Sequence, residues 1–171
     1  MEAARPATVD DVDRILALTR AFRAELADQR GGDLWWRNHD PVEHHAPAIR
    51  ALLDYDDECV LVGSIDDQVV GYAFARTHRL ADGAHLATIT ELFVEAGARE
   101  VSVGESLVNT ILAWAEARGC VGVDATALPG NRATKNFFET NGFVARSLTM
   151  HRPFGDAPAG AGDKGGGEGA T

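Results

Sequence analysis

Hydrophobic residues recur at helical spacing in the first third of the chain. Thr8, followed closely by two aspartates, is typical of a helix N-terminus, and the apolar positions after it predict a helix over residues 9–27. Residues 31–36 are predicted to form a loop. Asp40 begins a capping pattern that predicts a second helix, which Pro47 should interrupt or restart. This part of the chain is therefore expected to be helical.

The rest of the chain combines strand and helix patterns. Apolar runs at 60–65 and 69–75, joined by a polar turn, predict an antiparallel hairpin, and residues 86–94 predict a third strand. The remaining predicted elements, in chain order, are a helix over 103–118, a strand over 121–127, a helix over 131–140 and a strand over 143–152. Strand–helix–strand units imply parallel pairing, so the pattern predicts an α/β domain with a mixed sheet and helices on both faces.

Composition favours one soluble domain followed by a tail. The chain has 171 residues, 45% of them hydrophobic, which suits one ordinary domain with a buried core. Residues 155–171 are mostly Gly and Ala, so we expect a disordered tail behind a domain over residues 1–154. The sequence has no apolar run long enough to span a membrane and no apolar N-terminal signal segment, so a cytoplasmic protein is expected.

Charge and cysteine usage narrow the choice of partners. The formal net charge of −10 repels nucleic acid and anionic membranes, and it attracts cations such as amines. Cys59 and Cys120 stand in apolar runs and are expected to be buried thiols. The spacing of His and Cys matches no zinc site, so no metal is expected.

The segment between the third predicted strand and the following helix carries the clearest candidate chemistry. The strand ends at Val94, and a short loop with Arg99, Ser102 and Gly104 leads directly into the helix. The first N–H groups of a helix lack internal partners, and together with the helix macrodipole they suit an anion such as a pyrophosphate. The pattern alone also fits an ordinary strand–helix turn. The glycine patterns of dinucleotide-binding folds and P-loops are missing, which disfavours a dinucleotide oxidoreductase or a P-loop NTPase.

Several blocks of sequence, taken in order, resemble the GNAT superfamily of acyl-CoA N-acyltransferases. The family's loop motif is Arg/Gln-x-x-Gly-x-Gly/Ala, and a later motif ends in an aromatic residue followed by Glu-x-x-Gly-Phe. The matching blocks are Glu91-Leu92-Phe93-Val94, Arg99-Glu100-Val101-Ser102-Val103-Gly104, Asn131-Arg132-Ala133 and Phe137-Phe138-Glu139-Thr140-Asn141-Gly142-Phe143. The resemblance extends over residues 5–152 and implies a splayed, mixed central sheet of about six to seven strands.

The resemblance implies that acetyl-CoA is the co-substrate and suggests where it binds. The main chain of Phe93 and Val94 is expected to bind the pantetheine arm, and the N–H of Val94 to polarise the thioester carbonyl. Asn131 matches a position that contacts pantetheine, although a plain helix N-cap explains this residue equally well. The pyrophosphate is expected on the loop residues Arg99, Glu100, Val101, Ser102, Val103, Gly104 and Glu105.

Two positions depart from the family pattern. Ser102 stands where the family usually has Gly, which is a small change if its backbone angles remain ordinary. Phe138, in the expected cofactor site, stands where many members have a Tyr that protonates the departing thiolate, and Phe has no proton to donate. A slower enzyme that uses water or Tyr72 instead is consistent with this change, and so is a protein that binds acyl-CoA without turning it over.

The acceptor amine needs a base, because an amine with a pKa of about 10.4 is protonated at neutral pH. Glu91 lies on the strand beside the expected thioester, where it is the best candidate for a base acting through water; an ion pair on the sheet face is the alternative. Trp35, Trp36 and Tyr72 are candidates for the acceptor pocket, where aromatic rings attract an alkylammonium. The histidines considered as alternative bases are His39, His44 and His45.

The function expected from these observations is transfer of an acetyl group from acetyl-CoA to a primary amine by direct attack in a ternary complex. The acceptor is a small-molecule or peptide amine, with no nucleic acid or membrane partner. Cys120 lies at the start of a predicted strand and is not expected to carry the acyl group. Members of the family often form homodimers, which is one expected form of assembly. The alternatives are an acyl-CoA-binding regulatory module and a catalytically inactive interaction protein.

Overall fold

The computed structural model describes residues 1–38, 45–99 and 102–154. Several sequence predictions fall outside these ranges and are not developed further. They are the start of the second helix at 40–43, the candidate bases His39 and His44, the loop residues Glu100 and Val101, and the expected tail over 155–171.

Five strands form a single sheet within the described residues, in the order β1-β2-β3-β4-β5. Neighbouring strands from β1 to β4 pair antiparallel, whereas β5 pairs with β4 in parallel. The mixed sheet predicted from the sequence is thereby confirmed. The strands are β1 (Glu2–Pro6), β2 (Glu58–Ile65), β3 (Gln68–Arg79), β4 (His85–Val94) and β5 (Cys120–Ala125).

Helices cover both faces of this sheet. They are α1 (Val12–Ala27), α2 (Gly32–Asn38), α3 (Ala46–Leu52), α4 (Val103–Ala117) and α5 (Arg132–Thr140). Because successive side chains of a strand point to opposite faces, the sheet separates two apolar cores. Leu61 of β2 packs in the core under α4, and its neighbours Val60 and Val62 pack in the core under α1 and α3. In the described part of the chain, no helix combines the length and apolarity that crossing a bilayer requires.

The expectation of six to seven strands is wrong, because residues 143–152 form no strand. Their apolar residues suggested a final strand, yet no ladder joins them to β5, and Val144, Leu148 and Met150 are more than four-fifths exposed. An ion pair between Arg146 and Asp124 of β5 links this segment to the sheet. The pattern alone was insufficient because a strand also needs a partner with which its backbone pairs.

Strand β1 was not predicted, because its sequence Glu-Ala-Ala-Arg-Pro is mostly exposed and shows no alternation of large apolar residues with polar ones. It forms through backbone pairing with β2, from Glu2 opposite Ile65 to Pro6 opposite Leu61. The Arg5 guanidinium also donates to both carboxylate oxygens of Asp11, at 2.7 and 2.9 Å, and lowers the pKa of Asp11 to about 2. This ion pair connects β1 to the short helical turn that precedes α1.

The loop predicted at 31–36 is also wrong, because α2 occupies most of it. Glycine pairs disfavour helix, but Gly31 supplies a turn with φ of +80° immediately before α2. The Trp35 ring then packs edge-on against Phe22 of α1, with ring centroids 5.6 Å apart. Tertiary packing therefore outweighs the local preference. Pro47 was expected either to interrupt or to restart the second predicted helix. It lies in the first turn of α3, so it starts this helix.

The N-terminal half of α4 rests on two glycines of the sheet. Gly63 of β2 and Gly71 of β3 lie opposite each other in the ladder. A Cβ at Gly63 would stand 2.5 Å from Cγ1 of Val103, and a Cβ at Gly71 would stand 2.8 Å from the Phe93 carbonyl oxygen. Gly63 thus allows the first turn of α4 to approach the sheet closely, whereas the close contact at Gly71 is with the backbone of the neighbouring strand β4.

Gly63→Ala should destabilise the fold, because the added methyl group meets Val103 and the Leu107 side chain closely. Overpacking of this kind costs about 1–3 kcal/mol, or about 2–12 °C in Tm for a domain of this size. Gly122→Ala in β5 is the matched control, since its methyl group would meet Leu86 at an ordinary 3.8 Å. Thermal unfolding followed by circular dichroism compares the two proteins. Equal Tm values would contradict the close approach of α4.

Candidate active site

The candidate site begins where β4 separates from β5. The two strands pair from His85 opposite Cys120 to Ile89 opposite Ala125, and the ladder ends there although β4 continues to Val94. Beyond Ile89, the edge of β4 that faces β5 therefore presents backbone N–H and C=O groups outside the ladder. An exposed strand edge of this kind can bind an extended ligand through main-chain hydrogen bonds.

A β-bulge coincides with this separation. Phe74 of β3 lies opposite Glu91 and its neighbour Ala75 lies opposite Ile89, so Thr90 is an extra residue in β4. A bulge bends its strand and increases the local twist. It also places Ile89 on the α4 face of the sheet and Glu91 on the α1 face, although residues two apart normally share a face.

The gap opens into a cleft of about 990 Å³. Its walls are the second half of β4, the N-terminus of α4, the loop after β5 with α5, and the C-terminal end of α1 with Trp35. The structure brings together most of the sequence-predicted site residues along these walls. They are Trp35, Glu91, Phe93, Val94, Arg99, Ser102, Gly104, Glu105, Asn131 and Phe138.

Three predicted residues lie outside the cleft wall. Val103 is fully buried in the core between α4 and the sheet. Trp36 lies beneath the Arg23 guanidinium, 5.2 Å from its ring centroid. Tyr72 is fully buried behind Glu91. The candidate base His45 instead caps α3, where its Nδ1 accepts a hydrogen bond from the Ala48 N–H at 3.3 Å.

The N-terminus of α4 faces the cleft through Ser102, Gly104 and Glu105. Ser102 is the N-cap and makes no side-chain capping bond, so the cap leaves the first N–H groups available to another acceptor. Gly104, one of the predicted pyrophosphate-loop residues, also has a packing role. A Cβ there would stand 3.2 Å from the Phe137 ring, so this glycine allows α5 to pack closely on α4.

Arg99 has three neighbours at the junction of α1, β4 and α4. Its Nε donates to the Val94 carbonyl at 2.8 Å, and one terminal nitrogen donates to both carboxylate oxygens of Glu25 at 2.7 Å. The guanidinium also lies over the Phe93 ring, 5.5 Å from its centroid. Arg99 therefore brings a positive charge to the cleft, where it forms an ion pair with α1.

Asn131 acts as the N-cap of α5, which was one of its two predicted roles. Its Oδ1 accepts from the Thr134 N–H at 3.0 Å, and its Nδ2 donates to Oε1 of Gln29 at 2.9 Å. The second bond reaches from α5 to the turn after α1. Asn131 therefore lines the cleft while it connects two of its walls.

Glu91 and Tyr72 form a buried pair beside the cleft. The Tyr72 hydroxyl donates to Oε2 of Glu91 at 2.5 Å, and the Glu91 side chain is only 2% exposed. Burial and the adjacent Glu91 carboxylate raise the pKa of Tyr72 well above its usual value. The phenol therefore stays protonated and acts as a hydrogen-bond donor to Glu91.

The α1 end of the cleft combines aromatic rings with carboxylates. Phe22 contacts Trp35 and Phe93, with ring centroids 5.6 Å apart in each pair, and Glu25, Asp28 and Glu91 line the same region. Sequence reasoning missed Phe22, Glu25 and Asp28. Phe22 fits the apolar pattern that predicts the first helix, and Glu25 and Asp28 belong to none of the motifs. Their position in the cleft depends on how α1 ends against β4.

Phe138 lies in the opposite wall and is 7% exposed. Its ring packs against Phe137 and Phe143, with centroid distances of 5.4 and 5.2 Å. The position where many family members have a Tyr is therefore occupied here by a packed apolar side chain. Among the described residues, no group of three His, Cys, Asp or Glu side chains is placed to hold a metal ion.

The sequence matches the family model described as the acetyltransferase (GNAT) family over residues 29–143. No curated protein matches the chain in sequence.

Solved structures share this fold at low sequence identity. AAC(6')-Iy, in complex with the bisubstrate analog CoA-S-monomethyl-acetylneamine, is 16% identical with a TM-score of 0.68, and the match covers 90% of this chain and 99% of that chain. Ribosomal-protein-alanine N-acetyltransferase from Brucella melitensis biovar Abortus 2308 is 15% identical with a TM-score of 0.66, covering 91% and 100%. A transcriptional regulator from Bacillus halodurans C-125 is 23% identical with a TM-score of 0.65, covering 89% and 100%.

In a Tyr55→Phe protein, Tyr72 is the remaining tyrosine. Because its pKa is raised in the folded state, phenolate absorbance should appear only when native circular dichroism is lost at alkaline pH. The unfolded phenol ionises near pH 10, so the stability that the neutral buried phenol contributes is present below about pH 10 and is lost above it. Tyr72→Phe, which retains the exposed Tyr55, provides the comparison spectrum. Phenolate absorbance from Tyr72 with native circular dichroism at about pH 10 would contradict its burial.

Proposed function

The chain belongs to the GNAT acetyltransferase family, and from this premise we propose that it transfers an acetyl group from acetyl-CoA to a primary amine. The separation of β4 from β5 is the single observation that carries the proposal. It leaves an exposed strand edge that leads from the carboxylate of Glu91 to the N-terminus of α4. An extended thioester with an anionic end fits such a cleft.

We propose sites for the pantetheine arm, the phosphates and the thioester of acetyl-CoA. The pantetheine arm is proposed to pair with the backbone of β4 at Phe93 and Val94, beside Asn131. The phosphates are proposed to bind at the N-terminus of α4, where its macrodipole, Ser102 and the Arg99 guanidinium favour an anion. The residues present therefore fit this co-substrate, and the thioester would lie near Glu91.

Glu91 is proposed to accept the proton of the acceptor amine through a water molecule. The amine nitrogen then attacks the thioester carbon, and the N–H of Val94 stabilises the charge that develops on the carbonyl oxygen. After the C–N bond forms, the nitrogen loses its second proton to water and the C–S bond breaks, which yields the neutral amide and the CoA thiolate. Tyr72 is a positioning residue in this scheme, because its hydroxyl orients the Glu91 carboxylate.

The departing thiolate takes its proton from water in this proposal, because Phe138 carries no hydroxyl. A thiol with a pKa of about 8.5 is a tolerable leaving group as the thiolate. General acid assistance typically contributes about 10²–10⁴-fold, so its loss slows the reaction without preventing it. The direct route needs no acyl-enzyme intermediate.

A second candidate function is an acyl-CoA-binding regulator. The packed Phe138 ring in the cleft wall favours it, since a binding protein has no need of an acid there. The similarity in fold to the Bacillus halodurans transcriptional regulator is compatible with the same idea. Binding of acetyl-CoA without turnover would distinguish this candidate from the enzyme.

Phe138→Tyr should increase turnover, because a hydroxyl at this position supplies the missing acid; the expected gain in kcat is about 10-fold or more. Release of free CoA from acetyl-CoA, measured with a thiol reagent, compares the variant with wild type. The acceptor panel contains alkylamines, diamines, aminoglycosides and peptides with free N-termini. Bound acetyl-CoA with no turnover in either protein would overturn the enzyme and favour the regulator.

Glu91→Gln should lower kcat by about 10²-fold or more, with acetyl-CoA affinity unchanged, because the base is lost and the side-chain shape is kept. The deficit should shrink as pH rises toward 10, since the free amine becomes abundant. Glu95→Gln is the control, because Glu95 follows the same strand and forms an ion pair with Arg14 outside the cleft. A pH-independent kcat equal to wild type in Glu91→Gln would exclude Glu91 as the base.

Cys120→Ala should retain wild-type kcat and KM, because direct transfer uses no thiol of the protein. Cys59 is buried, and desolvation raises its pKa to about 11, which makes it a poor nucleophile. Steady-state kinetics over both substrates should give intersecting lines. Loss of turnover in folded Cys120→Ala, with parallel lines for wild type, would indicate a covalent intermediate instead.

A further inference from the structure

The ion pair between Arg99 and Glu25 lies inside the cleft rather than on an outer surface. Both residues belong to the cleft wall, and the Arg99 nitrogen is 2.7 Å from each Glu25 carboxylate oxygen. The side chains are 44% and 39% exposed, so water reaches both partners. Partly exposed pairs of this kind contribute little net stability and exchange partners readily.

Glu25 also borders the region where an acceptor would approach Glu91. It lies one turn after Phe22 on α1, and the Phe22 ring contacts Trp35 and Phe93. Glu25 is therefore between two environments, a positive one at Arg99 and an aromatic, acidic one at the end of α1. A carboxylate beside aromatic rings is well suited to hold an alkylammonium.

We propose that Glu25 is a specificity-determining residue that changes partner when acyl-CoA binds. In the free protein its carboxylate pairs with Arg99. When CoA binds, one of its phosphates pairs with Arg99 instead. The released Glu25 carboxylate then binds an ammonium group of the acceptor beside Phe22 and Trp35. This inference rests on the proposed function. It adds that acyl-CoA binding prepares the acceptor site and that this site selects a positively charged amine.

The exchange follows from the relative strength of the ionic contacts. A phosphate carries more negative charge than a carboxylate and accepts two parallel hydrogen bonds from a guanidinium, so it competes effectively for Arg99. Without its cation, Glu25 shares the cleft wall with Asp28 and Glu91, and three carboxylates in one cleft attract a positive ligand. CoA and the amine should therefore bind cooperatively, and by linkage each should tighten the other by the same factor.

The test uses unacetylated CoA and 1,4-diaminobutane as probes, so that no turnover is needed. Isothermal titration calorimetry measures each ligand alone and in the presence of the other, with wild type, Glu25→Gln and Glu95→Gln. Glu95→Gln is the matched control, because the Arg14–Glu95 pair also joins α1 to the end of β4 and both of its side chains are 40% exposed, yet it lies outside the cleft wall.

Glu25→Gln should bind CoA about 2- to 5-fold more tightly than wild type, because Arg99 loses its competitor. Wild type should bind the diamine at least about 5-fold more tightly when CoA is present, and Glu25→Gln should lose this gain. Glu95→Gln should behave as wild type in both measurements. Opposite effects on the two ligands are not expected from a residue that only stabilises α1.

The outcomes separate this inference from the proposed function. CoA affinity that is unchanged or weaker in Glu25→Gln, or a diamine gain that survives in that variant, would overturn the partner exchange alone. The same changes in Glu95→Gln would also overturn it, because they would reflect the loss of any ion pair on α1. Failure of wild type to bind CoA would instead overturn the proposed function, and the exchange with it.

Discussion

The site depends on the separation of β4 and β5 after Ile89 and Ala125. β4 and α4 lie on one side of the cleft and α5 with its preceding loop on the other, and side chains from all three elements meet in the same core. The bulge at Thr90 lies immediately beyond Ile89, the last residue of β4 that pairs with β5, and a bulge bends its strand and increases the local twist. Backbone groups that would otherwise complete a ladder are thereby available to a ligand.

The groups around this gap are positioned by packing outside it. The N-terminus of α4 approaches the sheet because Gly63 presents no side chain, and α5 approaches α4 because Gly104 has no Cβ. Glu91 is held by Tyr72 from behind, which is why a carboxylate is tolerated where it is almost completely buried. The walls of the cleft are thus positioned in part by contacts that lie behind its surface.

Much of this fold was predictable from the sequence, because α1, α4 and the β2–β3 hairpin show clear periodicity and turns. Strand β1 and α2 were not, since partner pairing and the packing of Trp35 determine them rather than their own composition. Ten of the residues that line the cleft were named from the sequence and the family resemblance, and their role in binding an anion stays a prediction. Glu25 was missed because its role depends on where α1 ends, and the packing role of Gly104 depends on a contact with Phe137.

The bulge has a consequence at the level of the gene. Deleting the single codon for Thr90 would keep Ile89 and Glu91 on their present faces, because regular alternation already places adjacent residues on opposite sides. Both cores would retain their side chains, while β4 would lose the bend beside β5. Loss or gain of one codon would thus distinguish an open cleft from a closed sheet. A single deletion is therefore a short mutational route to a protein that keeps the fold without the cleft.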